Sequence, residues 1–132
     1  MKLANRERIL IIEDDRNVSE MLKVRLGSAG YRAEAVDRGD AAIRMAAENP
    51  PDLVILDLKL PDMHGYDVCR FLRRQYRPWE LPVLMLTGAD DNNSKLGGFE
   101  TGADAYLTKP YQPAELLKTI RLLLGQENIH SN

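Results

Sequence analysis

Residues 52–65 read DLVILDLKLPDMHG, a short aliphatic run that ends in an acid and is then broken by a proline and a glycine. The run itself, residues 53–56, is β-branched or aliphatic throughout, the pattern of a strand buried on both faces. Asp57 closes it. A carboxylate is costly to bury, so a buried strand that ends in one places it at an open edge, facing something cationic. Taken alone, Asp57 reads equally as a nucleophile or metal ligand and as a carboxylate capping the following loop.

Outward from this stretch, the same arrangement recurs. Residues 9–12, ILII, form a second buried-strand pattern that runs straight into Glu13, Asp14 and Asp15. Residues 81–86, introduced by Pro82, form another and end in Thr87 and Gly88. Residues 105–107 make a last short strand, followed by Thr108, Lys109 and Pro110. Residues 31–36 alternate imperfectly, as suits an edge strand with one face partly wet.

Helical spacing fills the intervals. Val18, Met21, Leu22 and Leu26 mark a first helix, capped by Asp15 or Asn17 and ending near Gly27 or Gly30. Asp40 is placed to cap a second, with Ala42, Ile43, Ala46 and Ala47, which stops at Asn49, Pro50 and Pro51. Val68, Phe71 and Leu72 mark a third, along which Arg70, Arg73, Arg74 and Arg77 read as a solvated basic face. Residues 92–102 offer only Leu96 and Phe99 as anchors and contain Gly97 and Gly98. Each glycine costs about 1 kcal/mol against Ala in a helix, so a short, easily frayed helix is expected there. Pro113 opens a closing helix striped by Leu116, Leu117, Ile120, Leu123 and Leu124 and ended by Gly125.

Strand followed by helix, five times over, calls for a mostly parallel sheet with helices on both faces and right-handed crossovers. Such sheets bind ligands at the carboxyl ends of their strands, which here carry Glu13 and Asp14, Asp57, Thr87 and Lys109. The 132 residues suit one domain, expected over 1–125, with 126–132 a loose tail or the start of a linker. With 18 basic and 20 acidic residues the formal charge is −2, which argues against nucleic-acid contact by this domain. No apolar run is long enough to cross a bilayer and the first residues, MKLANRER, lack a signal-peptide core, so a cytoplasmic location is expected. The single cysteine, Cys69, has no disulfide partner and reads as a small, half-buried helix residue.

Three carboxylates at neighbouring strand ends repel one another unless a cation joins them or one takes up a proton. Mg²⁺ suits such a site, because it retains water and accepts phosphate oxygens as further ligands. Phosphoryl transfer needs an aligned nucleophile and positive charge on the equatorial oxygens. Asp57 fits the nucleophile, Lys109 the charge and Thr87 a neutral donor. Each residue has a plainer reading, Lys109 as a snorkelling surface lysine, Thr87 as a strand former, Glu13 and Asp14 as acids at a helix start. Those readings fail jointly, because complementary groups would have to gather on one edge by accident.

The pieces ILIIEDD, LVILDLKLPDMHG, VLMLTG and GADAYLTKP, in this order, resemble the receiver domain of two-component response regulators over nearly all of residues 7–124. The resemblance implies a flavodoxin-like α/β fold: a doubly wound five-stranded parallel sheet in order 2-1-3-4-5 with five helices. It implies a phosphorylation-activated signalling switch whose only catalysis is its own phosphorylation and slow dephosphorylation. Asp57 is then the phosphoacceptor, charged by a histidine kinase or phosphotransfer protein. Asp14 and Asp57 bind Mg²⁺ directly, Glu13 mainly through water, and the Lys59 backbone carbonyl supplies a further ligand. Thr87 and Lys109 match the phosphoryl-binding pair. Tyr106 matches the switch aromatic, which turns when Thr87 moves and changes the face made by the fourth helix, fifth strand and fifth helix for a downstream protein. The family's cis peptide falls at Lys109 and Pro110.

Departures from the pattern also matter. Ala105 and Thr119 stand where members dimerising through that face carry an acid and an arginine, which puts those salt bridges in doubt. Lys59 reads either as sending its ammonium over the site to tune phosphoryl lifetime or as simply exposed, and His64 reads as an exposed turn residue. An aspartyl phosphohydrolase of the haloacid-dehalogenase type wants a second Asp where Lys59 stands. A flavin or nucleotide module wants a glycine- or hydroxyl-rich loop where three acids stand. A phosphorylation-independent interaction module has no evident need of the complete acid, Thr and Lys set.

Overall fold

The computed structural model describes residues 6–88 and 102–126. Five strands, β1 (Arg8–Ile12), β2 (Arg32–Val36), β3 (Leu53–Asp57), β4 (Val83–Thr87) and β5 (Ala105–Thr108), form one sheet. They pair in the order β2-β1-β3-β4-β5, every pair parallel. The helices are α1 (Arg16–Ser28), α2 (Gly39–Glu48), α3 (Gly65–Gln75) and α4 (Pro113–Leu123). The helix expected over 92–102 falls, but for Gly102, outside the described residues.

Period-two alternation along the strands divides the core into two layers. Leu10, Ile12, Val54, Leu56, Val83 and Met85 face one side, where α2 contributes Ala42 and Ala46 and α3 contributes Val68, Cys69 and Leu72. Ile9, Ile11, Leu53, Ile55, Leu84 and Leu86 face the other, against Leu22 and Leu26 of α1 and Leu116 and Ile120 of α4. Both faces of β1, β3 and β4 are covered, which explains why these strands read as unbroken aliphatic runs. β2 is an edge strand and alternates between exposed and partly covered residues. At about 1.5–3 kcal/mol for each large side chain, these two layers supply the main favourable term in folding.

Several details differ from the sequence reading. Asp40 does not cap α2; the N-cap residue is Arg38, without a side-chain cap bond. The exposed amides are satisfied from the β3–α3 loop, where the Asp62 carboxylate accepts from Gly39 N at 2.8 Å and Asp40 N at 2.9 Å. Those two bonds hold the Asp62 carboxyl below the usual carboxylate range. Asp15 alone caps α1, accepting from Asn17 N and Val18 N. Met21 and Phe71, expected in apolar stripes, lie on the flanks of their helices and are exposed, whereas Cys69 is fully buried. Arg73 is no solvated residue: it bonds Gly102 O and Leu81 O, each at 2.8 Å, and pairs with Asp104, whose carboxylate also accepts from Val83 N.

The turn from β3 into α3 is tight. Gly65 N donates to Leu58 O at 2.8 Å, and a Cβ on Gly65 would stand 2.7 Å from Asp57 O and 2.8 Å from Leu58 Cα. Both obstacles are backbone, so Gly65→Ala is expected to destabilise the protein by about 1–3 kcal/mol, read as a lower midpoint in urea unfolding.

Candidate functional site

The parallel sheet puts the ends of β1, β3, β4 and β5 on one edge. Ile12 pairs with Leu56, Asp57 with Leu86, and Thr87 with Thr108, so the residues that follow or close these strands come together without further arrangement. Glu13 and Asp14 enter from β1, Asp57 from β3, Thr87 from β4 and Lys109 from the exit of β5. The Lys109 amide is fixed by a 2.7 Å bond to Thr87 O, and the Lys109–Pro110 peptide is cis.

One carboxylate oxygen from each of Glu13, Asp14 and Asp57 lies within 4.8 Å of the others. Lys109 Nζ stands 3.6 Å from Asp57 Oδ1 and 4.0 Å from Glu13 Oε1. Glu13 is buried; its Oε2 accepts from Asp15 N at 3.0 Å, while Oε1 has no hydrogen-bond partner among the described residues. Burial pushes the Glu13 carboxyl from 4.5 to about 7, the Asp15 amide opposing the shift and Asp57 adding to it. Burial raises Asp57 as well, against the opposing field of Lys109. An orphaned buried carboxylate oxygen and three mutually repelling acids form a donor set that fits a hard, oxygen-binding cation. Asp57 thus stands beside both a potential cation site and an ammonium.

Thr87 is buried at the end of β4. Tyr106, on β5, is half-buried beside the layer formed with α2 and α3, its hydroxyl 3.5 Å from that of Tyr66 on α3. Sequence reading missed Tyr66, which carries no chemical motif and meets Tyr106 only through packing. Lys59 is exposed in the β3–α3 loop and forms an isolated antiparallel bridge with His64. His64 is exposed, as expected, and also caps α3, its Nδ1 accepting from Tyr66 N at 3.1 Å.

A doubly wound sheet with an acidic, cation-fitting edge opposed by a lysine defines a class of α/β ligand-site domain. The family model "Response regulator receiver domain" matches residues 9–121, and the chain belongs to that family. It is 44% identical over 117 residues to the DNA-binding dual master transcriptional regulator RpaA of Synechocystis sp., covering 89% of this chain and 48% of that protein. It therefore spans about half the length of such a relative. Among solved structures, the BeF3-activated N-terminal receiver domain of Klebsiella pneumoniae RstA superposes with a TM-score of 0.82 at 36% identity, over 89% of this chain and 97% of that one. The receiver domain of sensor histidine kinase PA1611 from Pseudomonas aeruginosa, with a magnesium ion in its active-site cleft, gives 0.83 at 29% identity, over 92% and 99% of the two chains. The protein is thus a receiver domain, a phosphorylation-activated switch of two-component signalling.

The raised Glu13 carboxyl has a thermodynamic consequence. The folded state keeps its proton up to about pH 7 while an unfolded Glu releases it near 4.5. Between those values only the unfolded state gains from ionisation, so in metal-free buffer stability falls as pH rises through that window, by at most ~3 kcal/mol. Asp57 shifts in the same direction and adds to the fall. Urea unfolding against pH is expected to show the loss, and Glu13→Gln to flatten most of it.

Proposed function

We propose that Asp57 is the residue that accepts the phosphoryl group, from a phosphohistidine of a histidine kinase or phosphotransfer protein. The observation that carries this reading is the grouping of its carboxylate with the oxygens of Glu13 and Asp14 and with the Lys109 ammonium. An Asp57 carboxylate oxygen forms the new bond to phosphorus as the bond to the donor's imidazole nitrogen breaks, the nitrogen retaining the electron pair. Lys109 balances charge on the transferring oxygens, and the Thr87 hydroxyl donates to one of them. Asp14, Asp57 and the Lys59 carbonyl, with Glu13 mainly through water, would hold Mg²⁺, which would neutralise phosphoryl charge and relieve the repulsion among the acids. Beyond its own phosphorylation and slow dephosphorylation, no other turnover is assigned to the site. A cytoplasmic setting suits this exchange, because kinase and donor phosphates are found there.

The same reading assigns the switch to Thr87 and Tyr106. Thr87 is drawn toward the phosphoryl group, and the half-buried Tyr106 ring turns into the space released, separating its hydroxyl from that of Tyr66. Couplings of this kind are typically about 1–3 kcal/mol, so both states are populated before phosphorylation. The responding face includes β5 and α4, and a downstream protein reads it.

Incubation with acetyl phosphate and Mg²⁺ is expected to add one phosphoryl group by intact mass, with none added to Asp57→Asn or in excess EDTA. Lys109→Ala is expected to slow the addition by ~10²-fold. Persistence of the added mass in Asp57→Asn would remove Asp57 from the role. Tyr106→Ala is expected to accept the phosphoryl group normally while losing the phosphorylation-dependent gain in partner affinity, measured by calorimetry with the protein in both states.

A further inference from the structure

At the far end of α3 the surface has a character that neither folding nor the strand-edge site uses. α3 buries Val68, Cys69 and Leu72 and leaves Phe71 41% exposed on its flank. Four residues beyond the helix, Trp79, the only tryptophan of the chain, is 76% exposed. A guanidinium covers each ring: Arg74 Cζ lies 5.2 Å from the Phe71 centroid and Arg77 Cζ 5.6 Å from that of Trp79. Among the described residues neither arginine has a carboxylate partner, in contrast to Arg70 on Asp67 and Arg73 on Asp104. The nearby acid is already engaged, since Glu80 Oε1 accepts from Arg77 N at 2.8 Å.

Basic residues in the last turn of a helix are favoured by its dipole, which accounts for Arg73 and Arg74. It does not account for Arg77, which lies beyond the helix, or for an exposed Trp with a cation on its face. Trp and Arg are the side chains that most often dominate binding energy at interfaces, and a planar guanidinium pairs bidentately with carboxylate. A cation–π contact restrains each guanidinium over its ring before a ligand arrives, which lowers the ordering cost of binding.

We propose that Phe71, Arg74, Arg77 and Trp79 form a docking surface for an acidic protein segment, with Asp or Glu side chains on the guanidinium groups and interleaved aliphatic side chains on the rings. Charge complementarity selects an acidic partner. The net charge of −2, together with Glu80 beside the patch, favours a protein segment over the dense charge of a nucleic acid. The patch also lies away from the phosphoryl chemistry. α3 starts against the Asp57 backbone at Gly65; Phe71 and Arg74 lie six and nine residues further on, about 9 and 14 Å along the axis, and Arg77 and Trp79 lie beyond the helix end. Binding here is therefore independent of the state of Asp57.

The lone tryptophan makes the test direct. A soluble peptide of alternating Glu, Asp and Leu is titrated into the protein at low ionic strength and Trp79 emission is followed. A saturable change that weakens with added salt is expected. Arg74→Ser with Arg77→Ser should weaken binding roughly tenfold or more while lowering the melting midpoint only slightly, both side chains being exposed. Asp57→Asn should bind as the parent does, so this result and the fate of the phosphoacceptor assignment are read separately. The milder Arg74→Lys with Arg77→Lys, which keeps charge and loses the planar fork, should give intermediate affinity and serves if the serine pair folds poorly. No saturable response, equal affinity in the arginine variants, or tighter binding of a single-stranded oligonucleotide than of the peptide at the same salt would overturn the proposal.

Discussion

The structure turns on the electrostatic cost of setting three carboxylates at one end of a hydrophobic sheet. Glu13, Asp14 and Asp57 offer oxygens within 4.8 Å of one another, and Glu13 is almost wholly buried. That cost is met locally by the Asp15 amide, by Lys109 and by the retention of protons that burial favours. A site poised in this way responds strongly to any added cation or anion, because each added charge either relieves an existing repulsion or sharpens it. The two apolar layers of the covered sheet are what allow the fold to tolerate that cost.

That sheet was legible because burial on both faces writes itself into consecutive residues. ILII, LVIL and VLML admit few readings besides buried strands, and parallel connection then sends every strand end to the same edge. Once the edge was defined, Glu13, Asp14, Asp57, Thr87 and Lys109 could be placed together from chain order alone, and the structure brings them there. The sequence specifies the site so openly because each group sits at the terminus of a strong local signal.

The parts that stayed hidden depend on contacts between residues with no local signal. Asp62 caps a helix that begins 23 residues before it, and nothing in its neighbours says so, whereas Asp40 had the expected position and lacked the geometry. Arg73 looked like its three neighbours in a basic run and was drawn inward by Asp104, 31 residues away. Phe71 and Met21 carried apolar side chains at helical spacing, but each helix buries only a narrow face, and those two fall just outside it. Periodicity assigns an element to a surface; it cannot assign flank residues to one side of the boundary.

Arg73 also shows how one helix serves both ends of the sheet. Its guanidinium holds Gly102 and Leu81 carbonyls and the Asp104 carboxylate, fixing the entrances to β4 and β5 at the edge opposite Asp57. At the other end of α3, Gly65 lies against the Asp57 backbone with no room for a methyl group. Both ends are thereby fixed to the sheet, and the buried Val68, Cys69 and Leu72 hold the length between them. A helix restrained in this way is poorly suited to move with the chemistry. The half-buried Tyr106 lies on an edge strand, its hydroxyl 3.5 Å from that of Tyr66. In the switch proposed above, change on phosphorylation falls on β5 and α4 rather than on α3, which is fixed at both ends.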